Sequence, residues 1–239
     1  MNRTQLVEIK KGNVGTGLLL ENDGYMSLDM PDNKMLKESV DEFKNGMAHE
    51  LPRPFVVSAV FQKYGIQNAN GRVYPEAILK REVEKYQQAI KERRAFGECE
   101  HPDDSNINLE RVCMNIIELH WEGHTLVGKM EIPLTEGFRR YGICSDMGDK
   151  IAQRLIDGLR IGVSSRALGS VQQIGGHLVV QEDMDLIAFD VVSTNSTPGA
   201  IIRFEESELQ PFIESKVENS GKEMIKEDKY TKFDNWLNG

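Results

Sequence analysis

The chain has 239 residues, 39% hydrophobic and 28% charged, which suits one medium-sized domain with extensions and argues against wholesale disorder. Its 38 acidic and 29 basic residues leave a formal net charge of −9. That balance speaks against a general nucleic-acid binder, which needs a basic stripe to displace counterions, and against an anionic membrane surface as partner. No apolar run approaches the roughly 20 residues of a membrane span, and Met1 to Lys11 lacks the apolar core of a signal peptide. Three cysteines (Cys99, Cys113 and Cys144) are too few and too scattered for a disulfide framework, so a reducing cytoplasm is expected.

Residues 1–50 read as a loosely attached extension or propeptide, with one short strand at Gly17-Leu18-Leu19-Leu20 and a helix over Lys37 to Met47. From Arg53 the pattern tightens. Pro54 to Phe61 is rich in strand formers and runs into the turn cluster Asn68-Ala69-Asn70-Gly71. Pro75 is expected at the first position of a helix whose apolar stripe is Leu79, Val83, Tyr86 and Ile90, ending near Arg93-Arg94. The loop Gly97 to Asp104 follows, then a hairpin of Val112 to His120 and Thr125 to Ile132. Ile151, Leu155 and Ile156 mark a short helix closed by Gly158. Arg160 to Ile174 leads through the hairpin turn Gly175-Gly176 into a strand from His177 to Val192. The sum is an α+β fold, an antiparallel β-barrel-like core with a few surrounding helices. Residues 51–212 form the domain, and residues 213–239 a polar tail.

Four segments carry chemistry-bearing residues. In Gly97-Glu98-Cys99-Glu100-His101-Pro102, an imidazole ringed by carboxylates can be held in one tautomer and kept basic, although the same residues suit a surface histidine in an acidic loop. Gly162-Val163-Ser164-Ser165-Arg166-Ala167 is a strand of small residues that lets a substrate approach. A hydroxyl there can serve as nucleophile beside a base, and Arg166 can support an oxyanion; polar residues on a solvent face would look the same. Asp190 follows an apolar run, so it needs a partner such as an imidazolium, or else caps a turn. Asn68 to Pro75 reads as a turn and a helix start. A zinc site built from Cys99, His101, Cys113, His120 and His124 lacks the usual ligand spacings.

Read together, Asn70-Gly71-Arg72-Val73-Tyr74-Pro75, then Arg94-Ala95-Phe96-Gly97-Glu98 with His101-Pro102, then Gly162-Val163-Ser164-Ser165-Arg166 resemble the prohead (capsid-maturation) proteases of tailed phages. That family is similar to herpesvirus assemblin in fold and uses a serine nucleophile. The resemblance spans residues 53–200 and implies a serine endopeptidase with His101 as general base, Ser164 or Ser165 as nucleophile, Ser164 preferred, and Asp190 as the loosest match, orienting the imidazole. It implies scaffold and major capsid proteins, and the chain itself, as substrates inside the immature head in the host cytoplasm, with no metal or organic cofactor. Self-association stays open. Two positions depart from the common pattern: Cys99-Glu100 beside the base, and Ala167 where glycine is common. The alternatives are a non-catalytic capsid or scaffold component with the same fold, and a metal-dependent hydrolase. Relatives of the large-myophage type cut after Glu when Leu or Ile stands two residues before it. The triplets ending at Glu21, Glu38 and Glu227 lie in segments read as flexible, with self-trimming expected after Glu38 and Glu227. The triplet ending at Glu118 falls in a core strand and should be protected.

Overall fold

The computed structural model describes residues 7–102 and 105–193. Its strands are β1 (Gly15–Met26), β2 (Phe55–Lys63), β3 (Arg72–Val73), β4 (Phe96–Glu98), β5 (Val112–Glu122), β6 (Thr125–Ile132), β7 (Ile161–Ile174), β8 (His177–Val180) and β9 (Asp185–Val192). The helices are α1 (Lys34–Lys44), α2 (Glu76–Lys91), α3 (Glu136–Tyr141) and α4 (Met147–Ile156).

The strands form one sheet in the order β3-β8-β7-β1-β2-β6-β5-β4, with β9 paired to β7. All pairings between named strands are antiparallel except the short β3–β8 contact. β7 lies between β1 and β9: Ser165 is opposite Glu21 on one side and Phe189 on the other. At the far end, the chain leaving β4 returns to β9 through a parallel bridge between Cys99 and Val191, and the Glu100 N–H donates to the Val191 carbonyl at 2.7 Å. The sheet therefore curls back on itself, the α+β, barrel-like arrangement expected. No described helix is long and apolar enough to cross a membrane.

α2 forms where the period of apolar residues is helical and starts at Pro75, whose backbone (φ −60°, ψ 139°) makes it the cap residue, one position before the expected place. Its buried face is Ile78, Leu79, Val83 and Tyr86, with Ile90 at the margin. Tyr86 and Phe61 both meet the Phe189 ring edge-on, at 5.7 and 5.1 Å between centroids. Such pairs contribute about 0.5–1.5 kcal/mol beyond burial. This aromatic cluster fixes β9 one residue from Asp190. The expected strand over His177 to Val192 is instead two, β8 and β9, parted at Gln181–Met184, where the Asp183 carboxylate accepts from both the N–H and the hydroxyl of Ser170.

The stretch Gly15–Met26 is not part of a loose appendage. β1 pairs with β7 over ten positions and with β2 on its other edge, placing it in the middle of the sheet. The tie is a buried polar cluster. Glu21, fully buried, pairs with the buried Arg72 at 2.5 Å. It also accepts from Tyr74 Oη at 2.8 Å and from the side-chain amides of Asn68 and Asn70 at 2.7 Å each. The motif read as a mere turn and helix start thus sends four side chains to one carboxylate some fifty residues earlier. Arg72 also donates to the Ile9 carbonyl.

At the bulge after Glu21, Asp23 has its carboxyl raised to about 6, first by burial and then by the charge of Glu21. The folded protein therefore holds a proton that the unfolded chain gives up near 3.8. Stability falls as pH rises through the window from about 4 to 6 and stays lower above it. Asp23→Asn is expected to raise the thermal midpoint at pH 8 and leave it unchanged near pH 4. Equal midpoints at both pH values would refute the assignment.

Candidate active site

Three strands bring the candidate residues together. Ser164 on β7 lies directly opposite Asp190 on β9, and residues so paired in an antiparallel ladder project side chains to the same face. His101 reaches that face because its loop is pinned to β9. Beyond the Cys99–Val191 bridge, Arg111 Nη2 donates to the carbonyls of Cys99 and Glu100, at 2.8 and 3.0 Å. Glu100 takes a positive φ of 63°, a conformation that costs a non-glycine residue energy and is held here by its neighbours. Its carboxylate accepts from the Ser193 N–H at 3.1 Å, which gives the extra charge beside the base a backbone partner.

The resulting geometry is continuous. His101 Nε2 lies 2.7 Å from Ser164 Oγ, and His101 Nδ1 lies 2.8 Å from Asp190 Oδ2. The imidazole is 15% exposed while Asp190 is fully buried. Ser164 is also buried. Ser165 points to the other face of β7, as alternation requires. Its buried Oγ has no hydrogen-bond partner among the described residues.

Arg166 is not where the sequence reading put it. Its fully buried guanidinium packs behind Asp190, with Nε 2.8 Å from Oδ2 and Nη2 3.2 Å from Oδ1. The same Nη2 donates to Glu98 Oε2 at 2.6 Å. A guanidinium committed to two carboxylates is not an oxyanion donor. The physical reason is alternation: Arg166 shares the face of Ser164, and on that face the next cross-strand carboxylates claim it. Glu98, buried like its partners, also donates its backbone N–H to Asp190 Oδ1 at 3.1 Å and accepts from the Asn108 N–H at 3.2 Å. In the sequence Glu98 stands inside the histidine motif with no role evident from its neighbours. The signal was there in the Gly97-Glu98 pair: a Cβ on Gly97 would collide with Met114 and the Phe189 carbonyl, so only glycine lets β4 lie this close to β9.

The other candidates separate. His120 sits between Glu118 and Glu122 on β5, and His124 stacks edge-on against Tyr64. Neither joins Cys99 or His101, and no group of three or more His, Cys, Asp or Glu among the described residues is arranged to hold a metal ion. The Cys99 thiol is lowered to about 6, chiefly by its hydrogen bond with Cys113, whose own thiol that bond and burial push up. A cleft of about 260 Å³ adjoins the histidine loop, lined by Cys99, Glu100, Arg154, Leu159, Arg160 and Val192 among others.

A base, a hydroxyl and a buried carboxylate in this order can deprotonate the hydroxyl as it attacks an electrophilic carbon, the constellation that recurs in acyl-transfer enzymes on unrelated folds. Known proteins share features of this sequence and fold. The pattern of the family described as prohead core protein serine protease matches residues 18–210. The chain is similar to the prohead core protein protease of Enterobacteria phage T4, 29% identical over 153 residues, covering 63% of this chain and 68% of that protein. In fold it is similar to the bacteriophage T4 capsid assembly protease, with a TM-score of 0.56 at 22% identity, covering 74% of this chain and 96% of the other.

Proposed function

For a chain that belongs to the prohead core protein serine protease family, and hence to the peptidases, we propose a serine endopeptidase of phage head maturation in which Ser164 is the nucleophile, His101 the base and Asp190 its orienting acid. The observation that carries this reading is the unbroken line Ser164 Oγ, His101 Nε2, His101 Nδ1, Asp190 Oδ2, with contacts of 2.7 and 2.8 Å.

Ser164 Oγ attacks the scissile carbonyl carbon while its proton passes to His101 Nε2. The imidazolium then gives that proton to the leaving amine nitrogen, and an acyl ester remains on Ser164. Water, deprotonated by the same nitrogen, attacks the ester carbon, and the proton returns to Oγ as the acid product leaves. Backbone N–H groups, without Arg166, are left to meet the oxyanion. The relatives' names support capsid-related substrates within the prohead, and scaffold, capsid protein and the chain itself are the substrates proposed.

Self-cleavage needs adjustment. The triplet ending at Glu21 lies inside β1 with Glu21 fully buried, so it is protected, as is that ending at Glu118 on β5. Glu38 is exposed on α1, whose Val40 is buried, so cutting there requires local unwinding and leaves β1 held by its pairing. Glu227 lies outside the described residues.

The test is labelling with a fluorophosphonate. Wild type and Ser165→Ala are expected to be labelled, and Ser164→Ala unlabelled. Removing the unpartnered Ser165 hydroxyl should leave stability unchanged or slightly higher. Loss of the Ser164 hydroxyl, with its single bond to His101, should cost about 1 kcal/mol, so the unreactive variant stays folded. Labelling of Ser164→Ala, or none in wild type, would refute the assignment.

A further inference from the structure

Behind the triad lies a second, deeper layer that proton transfer does not use. Each of the three strands at the site contributes one carboxylate or guanidinium to it, or shares one with the triad. β4 supplies Glu98, three residues before His101; β7 supplies Arg166, two residues after Ser164 on the same face; β9 supplies Asp190 itself. Glu98, Arg166 and Asp190 are all fully buried. We propose that Glu98 and Arg166 are positioning residues, setting the plane and position of the Asp190 carboxylate so that Oδ2 meets His101 Nδ1 in one geometry. This inference rests on the triad reading above.

The contacts account for both Asp190 oxygens. Oδ1 takes the Glu98 N–H at 3.1 Å and Arg166 Nη2 at 3.2 Å, while Oδ2 faces Arg166 Nε and His101 Nδ1, each at 2.8 Å. A carboxylate fixed at this many points cannot rotate without breaking several of them together. Glu98 adds a hold on Arg166 by drawing Nη2 to 2.6 Å from Oε2, and itself accepts from the Asn108 N–H. Glu98 thus ties the strand leading to the base to the strand carrying the acid, once through its backbone and once through Arg166.

Formal charge points the same way. Glu98 and Asp190 both face the Arg166 guanidinium, Arg111 Nε lies 3.8 Å from Glu98 at the margin, and the imidazolium formed when His101 takes the Ser164 proton lies against Asp190 inside a water-poor site. A buried ion cluster is a poor source of stability, since apolar replacements of equal volume are often neutral or stabilising. Its presence under the triad is better explained by geometry than by folding.

The decisive experiment separates the first-order rate of Ser164 labelling by a fluorophosphonate at saturation from the affinity for the probe. Glu98→Gln keeps an acceptor and near-equal volume. It is expected to slow labelling about 10–100-fold, the usual effect of removing the partner that orients a reacting group, with probe affinity unchanged. The far-downfield proton resonance of His101 Nδ1–H should shift or broaden. Glu98→Asp should recover part of the rate. Should Glu98→Gln fold poorly, the apolar pair Glu98→Leu with Arg166→Met removes one buried charge of each sign, and it too should fold yet label slowly. Labelling of either folded variant within twofold of wild type would overturn the inference while leaving the triad intact. Failure of wild type to label at Ser164 would instead overturn the triad reading, and this inference with it.

Discussion

Glu21→Leu is expected to destabilise the protein by about 3–5 kcal/mol, the cost of leaving a buried charge without its partner. Arg72 is 1% exposed and Glu21 not at all, so water cannot replace the lost carboxylate. What remains for Arg72 is the Ile9 carbonyl. Tyr74 loses its acceptor too. Burial, then the charge of Glu21, raises its phenol, so it stays a donor at any ordinary pH. The measurement is a urea midpoint at unchanged slope, because the change acts on the folded state rather than on the surface exposed by unfolding. Combining Glu21→Leu with Arg72→Met should restore much of the loss, and the cycle of four proteins gives the coupling directly. A loss under 1 kcal/mol in the single variant would mean that the cluster is not what fixes β1. The result bears on maturation as well. If the cluster is this strong, a cut after Glu38 leaves β1 seated beside the nucleophile strand, and the trimmed enzyme keeps its first strand.

The difference between what was and was not legible follows the range of the interactions. α2 could be read because Leu79, Val83 and Tyr86 recur at helical spacing within one stretch of chain, and the β5–β6 hairpin because its turn is local. Ser164, His101 and Asp190 were legible as candidates because each stands in a short segment with its own chemistry. β1 was not. A charged residue inside an apolar run reads as a solvent face, and only the motif near residue 70, far along the chain, shows that Glu21 is buried and satisfied. Arg166 was misread for the same reason. Its partner Glu98 lies 68 residues away, and no local pattern distinguishes an arginine clamped between carboxylates from one waiting for an oxyanion. Buried charge is legible only when both partners are known.

Asp190→Asn is expected to lower the acylation rate by about 10⁴-fold, the effect that follows when the orienting acid of such a triad becomes an amide. An amide offers one oxygen where the carboxylate offered two. Asp190 Oδ1 receives Glu98 N–H and Arg166 Nη2, and Oδ2 faces Arg166 Nε and His101 Nδ1. If the amide oxygen stays toward Glu98 and Arg166 Nη2, the NH₂ group falls on the Oδ2 side. It then donates to His101 Nδ1, which places the ring proton on Nε2, facing Ser164. In that tautomer Nε2 is a donor and cannot take the serine proton. Flipping the amide instead sets its NH₂ against two donors, the Glu98 N–H and Arg166 Nη2, where the first orientation meets only Arg166 Nε, so the flip is the less favourable. The variant should also be less stable, since the buried Arg166 loses a carboxylate that faces its Nε and Nη2. Labelling kinetics and a denaturant midpoint on the same sample separate the two losses. An Asp190→Asn protein that is folded and labels Ser164 within tenfold of wild type would remove Asp190 from the triad.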